Sequence, residues 1–316
     1  MTDPDIVVLR QKIHGLPAAD YAAELRERLP DRSIELARTP SAERELLSRA
    51  RVATGHRIDE EALAAAENLE LFACIYAGTD HLPLEALSER GVAVTNAAGV
   101  HVPNVAEYVV GGILALARRF DLAWHRAEHR EWRSFQAFEL RGSTVTVVGL
   151  GRIGTGVVGR LEPFGVETLG VRYTPEKGGP TDEVFGFDEI HEALYRTDYL
   201  VLACPLTEAT ERLIDAEAFE TLPPHAVVVN VARGGVIETD ALVAALRKND
   251  VGGAVLDVTD PEPLPEDHPL WGFENVLVTP HNAGYTPHYF ERLADVVAEN
   301  LRRLDAGESE LENQVV

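Results

Sequence analysis

Short apolar runs alternate along this chain with stretches whose apolar residues recur every three or four positions. The runs Ile6–Leu9, Ile34–Ala37, Leu71–Ile75 and Val92–Val94 fit strands buried on both faces. Between them, Ala18–Leu29 and Ser41–Arg49 carry the helical period. A long helix-like stretch, Val105–Glu131, follows. A second series of apolar runs then appears at Val145–Val148, Thr168–Val171, Tyr199–Ala203, Val227–Val231, Ala254–Val258 and Val276–Thr279. A last helix is expected from near Pro287, a residue type favoured in the first helical turn, to just before Gly307.

Near-continuous apolar strands alternating with helices predict an α/β chain with parallel sheets covered on both faces. Two such series predict two Rossmann-like, doubly wound domains. The second begins mid-chain, and a helix lies beyond its last strand. The first domain, for substrate, is therefore expected to comprise 1–99 and 284–316, and the dinucleotide-binding domain 100–283. Ligands of open α/β sheets bind beyond the carboxyl ends of strands, and clefts between domains are favoured sites, so the active site is expected in the interdomain cleft.

The second series opens with a specific signal. Val147-Val148-Gly149-Leu150-Gly151-Arg152-Ile153-Gly154 is an apolar run leading into Gly-x-Gly-x-x-Gly, and Thr155–Leu161 can continue as a helix. In such a strand–turn–helix, glycines let the backbone approach a pyrophosphate, and the helix N-terminus supplies oriented N–H groups. Gly149, Gly151 and Gly154 are therefore expected to bind a dinucleotide. An acidic residue at the end of the next strand would hold the ribose hydroxyls, but Val166–Val171 is followed by Arg172, with Thr174 and Lys177 close behind. A guanidinium beside a hydroxyl and an ammonium can bind a 2′-phosphate that a carboxylate would repel, so NADP is expected over NAD.

Composition narrows the remaining classes. Of 316 residues, 52 are acidic and 29 basic, a formal charge of −23, and only three of the cations (Lys12, Lys177 and Lys248) are lysine. Such a field repels nucleic acid and anionic membranes, so neither is expected as a partner. Acidic loading with almost no lysine resembles proteins of high-salt cytoplasm, where salt screens the self-repulsion. Cys74 and Cys204 lie in apolar runs and read as buried thiols, and Met1–Asp5 lacks a signal-peptide pattern. A cytoplasmic location follows as the expectation. His125 and His129 stand four apart on a helical stretch, but no third ligand is evident and no metal is expected.

Three residues just past late strands form a chemical set. Arg233 follows Asn230-Val231-Ala232, Glu262 follows Asp257–Pro261, and His281 follows Thr279-Pro280. A guanidinium can bind a 2-keto acid's carboxylate bidentately and polarise its keto oxygen. An imidazolium can donate a proton to that oxygen as hydride arrives, and a neighbouring carboxylate favours the charged ring and orients it.

The order and spacing of these segments resemble the D-2-hydroxyacid dehydrogenase family over nearly the whole chain. The resemblance rests on Ala77-Gly78-Thr79-Asp80-His81, Asn96–Val100, Val105-Ala106-Glu107, the glycine motif, Cys204–Thr207, Asn230–Gly235, His268–Trp271 and Thr279–Gly284. It implies reversible reduction of 2-keto acids to D-2-hydroxy acids, with Arg233, Glu262 and His281 catalytic and His281 the acid/base. It also implies substrate carboxylate binding at Ala77 and Gly78, with Arg152 and Ile153 over the pyrophosphate. Asp257 would bind the nicotinamide carboxamide, and Cys204, Pro205 and Thr207 would line the cofactor cleft. Members are usually homodimers through the nucleotide domain, which Val105–Glu131 could support. Arg172 departs from the Asp of NAD-using members, and Thr79–Pro83 departs from the usual aromatic-Asp-Asn-Ile-Asp. Glyoxylate/hydroxypyruvate reductase, phosphoglycerate-type dehydrogenase and a dinucleotide-sensing binding protein of the same fold stay open as alternatives.

Overall fold

The computed structural model describes residues 3–10 and 15–316; Lys12 lies outside the described residues. The chain divides into two compact units, Met1–Val100 with Tyr285–Val316, and His101–Gly284. Each is an α/β unit on a fully parallel sheet. Among the described residues, no helix is long and apolar enough to cross a membrane.

The first unit opens with β1 (Ile6–Val8), α1 (Ala18–Arg28), β2 (Ile34–Leu36), α2 (Pro40–Leu47) and β3 (Val52–Gly55), then α3 (Glu60–Ala65), β4 (Leu71–Cys74), α4 (Leu84–Glu89) and β5 (Ala93–Thr95). Its sheet order is β2-β1-β3-β4-β5. Short polar side chains start two of the helices: Thr39 accepts from the Ala42 N–H at 3.1 Å and Asp59 from the Ala62 N–H at 2.8 Å. Strand β3 was not expected, because Val-Ala-Thr-Gly is hardly an apolar run. It is fully buried nonetheless, and the Thr54 hydroxyl donates to the Ala73 carbonyl at 2.9 Å, which satisfies its polar group.

The second unit contains α5 (Val102–Ala117), α6 (Phe120–Glu128), β6 (Thr144–Val148), α7 (Arg152–Leu161), β7 (Glu167–Val171), β8 (Glu183–Phe185), α8 (Ile190–Leu194) and β9 (Tyr199–Leu202). It continues with α9 (Ala216–Thr221), β10 (Val227–Asn230), α10 (Thr239–Lys248), β11 (Gly253–Leu256) and β12 (Val276–Val278). The expected single helix over Val105–Glu131 is instead two, broken at Arg119, whose φ of +56° is left-handed. No Gly or Pro marks that break. The last helix, α11 (Tyr289–Asp305), belongs to the first unit and starts two residues later than Pro287 suggested. It packs on α1, the Tyr289 hydroxyl donates to the Ile75 carbonyl, and the chain end pairs with β5 through the Val315 N–H and Val94 carbonyl at 2.7 Å.

The second sheet runs β12-β11-β10-β9-β6-β7-β8, so strand order reverses between β9 and β6. Its register is continuous. Phe185, Val171, Val148, Leu202, Asn230, Leu256 and Val278 form one row of paired residues across all seven strands. Because the strands are parallel, that row marks their carboxyl ends along one edge. Gly149, Arg172, Cys204, Asp257, Arg233 and His281 each follow it by one to three residues.

Two glycines make the turn at the reversal point possible. Gly149 has φ +96°, and a Cβ there would lie 2.6 Å from the Cys204 nitrogen. A Cβ at Gly154 would lie 2.0 Å from the Gly149 carbonyl oxygen, so only glycine lets α7 pack this close to β6. Gly154→Ala is expected to lower unfolding stability by about 1–3 kcal/mol, the usual cost of forcing extra volume into a packed site. The check is the shift in the urea midpoint at constant slope; an unchanged midpoint would contradict the packing argument.

Candidate active site

Glycine turn and strand ends together shape a cavity of about 670 Å³ lined by Gly149, Leu150, Gly151, Arg172, Thr174, Cys204, Pro205 and Thr207, among others. Leu150, Phe187 and Pro205 supply apolar wall, and a Cβ built on Gly151 would meet nothing within 4 Å, leaving open space directly before the first turn of α7. Arg152 is the first residue of that helix. Ile153, the second, turns its side chain to the core of the second unit, and neither of the two residues lines the cavity. A flat apolar base, a pyrophosphate at a helix N-terminus and a ribose at the rim all have partners of the right type here. The residues present therefore fit a nicotinamide dinucleotide.

The rim carries the basic group read from the sequence. Arg172 donates one guanidinium N–H to the Gly178 carbonyl at 2.6 Å, which anchors it and leaves further donors of the fork beside Thr174. Lys177 closes a single helical turn in the same loop. On the opposite wall, the loop after β9 is held by a residue the sequence reading overlooked. Buried Thr210 donates to the Pro205 carbonyl at 2.6 Å and accepts from the Thr207 N–H at 2.8 Å. Its only sequence signal is its place three residues after Thr207 in a Thr-x-x-Thr turn.

Beyond β11 and β12 the structure joins two of the three expected catalytic residues. Glu262 Oε1 lies 2.6 Å from His281 Nδ1, and both side chains are roughly half exposed. An ionised carboxylate only accepts, so Nδ1 carries the shared proton and Nε2 points from the other side of the ring. Arg233 follows β10, the strand next to β11, and donates to the Ala232 carbonyl at 2.7 Å. His281 itself has φ +53°, a left-handed conformation that costs a non-glycine residue about 1–3 kcal/mol unless its surroundings enforce it.

Asp257 provides part of that enforcement. Its carboxylate, in a residue only 3 % exposed, accepts from the Thr279 hydroxyl at 2.6 Å, the Asn282 N–H at 2.9 Å and the Ala283 N–H at 3.0 Å. Its backbone carbonyl accepts from the His281 N–H at 2.8 Å. Three of roughly four acceptor positions on the carboxylate are thus taken within the protein.

In the first unit, Ala77 and Gly78 form an exposed turn after β4. The Asn96 amide donates to the Ala77 carbonyl at 2.7 Å, and across that trans peptide the Gly78 N–H points the opposite way.

A family model described as the NAD-binding domain of D-isomer-specific 2-hydroxyacid dehydrogenases matches residues 110–283. The chain is also 36 % identical over 261 residues to a glyoxylate reductase of Thermofilum pendens, covering 80 % of this chain and 76 % of that one. The chain belongs to the D-isomer-specific 2-hydroxyacid dehydrogenase family. This is a family of NAD(P)-dependent oxidoreductases. A D-3-phosphoglycerate dehydrogenase of Methanocaldococcus jannaschii is 35 % identical over 81 % of this chain, but the match spans only 49 % of that longer protein. Among solved structures, a D-isomer-specific 2-hydroxyacid dehydrogenase of Xanthobacter autotrophicus Py2, in complex with NADPH and MES, is 29 % identical with a TM-score of 0.79, covering 100 % of this chain and 98 % of that one.

Cys204 sits in the cavity wall as a buried thiol. Burial pushes its pKa up to about 11, and Cys74 is likewise raised by burial. At about pH 8, on the order of one thousandth of Cys204 is thiolate. Native protein should therefore resist iodoacetamide and label at both cysteines only after unfolding. Rapid stoichiometric labelling of the native protein at that pH would contradict the burial argument.

Proposed function

We propose that this protein reduces 2-keto acids to D-2-hydroxy acids, reversibly, with NADPH preferred over NADH. The observation that carries the reading is the Glu262–His281 pair at the same sheet edge as the glycine turn. When bound, the nicotinamide supplies or accepts hydride at the substrate's C2. Arg233 binds the substrate carboxylate and polarises the keto oxygen, and its neighbouring N–H groups remain for a bidentate contact. His281 Nε2 gives a proton to the keto oxygen and takes it back in the oxidation, while Glu262 holds the ring through Nδ1. The N–H groups of the Ala77–Gly78 turn are proposed as further donors to a substrate carboxylate. The substrate domain is proposed as 1–99 with 284–316, and the dinucleotide-binding domain as 100–283.

The NADPH preference rests on Arg172 and Thr174 at the cavity rim, with Lys177 in the same loop and no carboxylate at the end of β7. A relative named glyoxylate reductase makes glyoxylate the first substrate to try, with hydroxypyruvate beside it as the alternative the resemblance left open. Self-association through the dinucleotide-binding domain is supported by exposed Phe120 and Trp124, neighbouring rings on α6 with centroids 6.1 Å apart, and by exposed Trp132 and Phe138 in the segment that follows. The acidic surface and near-absence of lysine support a cytoplasm rich in salt.

Steady-state reduction of a 2-keto-acid panel in high salt, with NADPH and NADH side by side, tests the reading. Faster oxidation of NADPH with at least one acid, giving the D product, is expected. Arg172→Asp should move the cofactor preference towards NADH by at least about tenfold, equivalent to about 1.4 kcal/mol. No turnover with either cofactor would remove the enzymatic reading, and an unchanged preference in the variant would place the 2′-phosphate contact elsewhere.

A further inference from the structure

Helix α5 and Asp257 share one task. The residue before α5, His101, and two residues of the helix, Asn104 and Tyr108, are spaced i, i+3 and i+7 and so lie on one face. Each reaches the segment carrying His281. His101 Nδ1 lies 2.9 Å from the Gly284 carbonyl, the Asn104 amide donates to the Ala283 carbonyl at 2.6 Å, and the Tyr108 hydroxyl lies 2.6 Å from Thr279 Oγ1. Thr279 gives its single hydroxyl proton to Asp257, so Tyr108 must be the donor to Thr279. The bonds run in one direction: Tyr108 to Thr279 to Asp257, with the Asn282 and Ala283 N–H groups closing on the same carboxylate.

We infer that Tyr108, Thr279 and Asp257 are positioning residues that hold the left-handed turn of His281, and with it the imidazole, in register with Glu262. The inference rests on His281 being the proton donor proposed above. Histidine enters the left-handed region more readily than most non-glycine residues, yet the conformation still carries a cost there, which the bonds from Asp257 and the α5 face offset. Asp257 meets the turn from the end of β11, and the α5 face meets it at Thr279, Ala283 and Gly284. This gives the Asp257 carboxylate a task at the histidine turn, in addition to the carboxamide contact that the family resemblance implies. Burial also pushes the Tyr108 pKa up to about 12, so the phenol keeps its donor proton throughout the neutral range.

Thr279→Val removes the hydroxyl at nearly constant shape, and Thr279→Ser restores it. The Val variant should lose about 10- to 100-fold in kcat, as expected when a reacting group is misplaced by about 1 Å. Its KM for the keto acid and its NADPH dissociation constant, read from cofactor fluorescence, should stay within about threefold, because no binding group is removed. The deuterium isotope effect from 4-deuterated NADPH should grow as chemistry becomes slower, and Ser should return all of these towards wild type. A crystal structure of the Val variant should show residues 279–284 displaced from their present turn. An unchanged turn with wild-type kcat would overturn the inference. So would a kcat loss accompanied by proportional weakening of NADPH binding and no change in isotope effect. If the Val variant does not fold, Tyr108→Phe, which removes only the first donor, carries the same test. Should the wild-type protein turn over no keto acid, the functional reading falls, while the crystallographic comparison still decides whether the chain holds the turn.

Discussion

Parallel pairing in one continuous register is the constraint on which the rest of the second unit depends. Every strand of the row from Phe185 to Val278 ends at the same edge, so the residue that follows each strand arrives there without further design. The glycine turn comes from β6, the basic rim from β7, the wall from β9, the guanidinium from β10, and the carboxylates and imidazole from the ends of β11 and β12. A change of register by one residue in any strand would turn its buried side chains to the opposite face and move its functional residue with them. The core residues that fix the register, such as Val147, Val201, Val229 and Val255, all at or near zero exposure, are in that sense part of the site.

Much of this was legible in the residue pattern because the physics is local. A strand buried on both faces has few choices beyond Val, Ile and Leu, and Gly149-Leu150-Gly151-Arg152-Ile153-Gly154 announces a turn only glycine can make. Features that depend on tertiary partners were not legible. Val52-Ala53-Thr54-Gly55 becomes a central strand because Tyr21 and the Ala73 carbonyl satisfy Thr54, and neither is near it in sequence. Glu183–Phe185 is a three-residue edge strand, too short and too exposed to stand out. The break at Arg119 carries no breaker residue; the side chain instead pairs with buried Asp121 at 3.3 Å. The Glu262–His281 contact spans 19 residues, and only the chemical logic of the set suggested it. Thr279 and Tyr108 were invisible as functional residues, since a threonine in a turn and a tyrosine in a helix have no local signal of the bond between them.

The charge pattern sets a second constraint. A chain of net charge −23 that handles an anionic cofactor and, on the proposed reading, an anionic substrate must concentrate its cations. It does so at strand ends, with Arg172 and Arg233 held by backbone carbonyls at 2.6 and 2.7 Å. Anchoring to carbonyls fixes the guanidinium without neutralising it, unlike the surface arginines Arg32, Arg51 and Arg196, which are all paired with carboxylates. The acidic residues elsewhere repel other polyanions at low salt, and added salt weakens that repulsion together with the chain's self-repulsion.

On the proposed reading, His281 delivers the proton while the bound cofactor supplies hydride. It is tested most directly by single-turnover mixing of wild-type protein and His281→Asn with NADPH and a reducible 2-keto acid, followed at the nicotinamide absorbance. The account predicts that the asparagine variant binds NADPH within about threefold of wild type yet transfers hydride about 100- to 10,000-fold more slowly, the range spanned by loss of a general acid. Hydride transfer within about tenfold of wild type would contradict it.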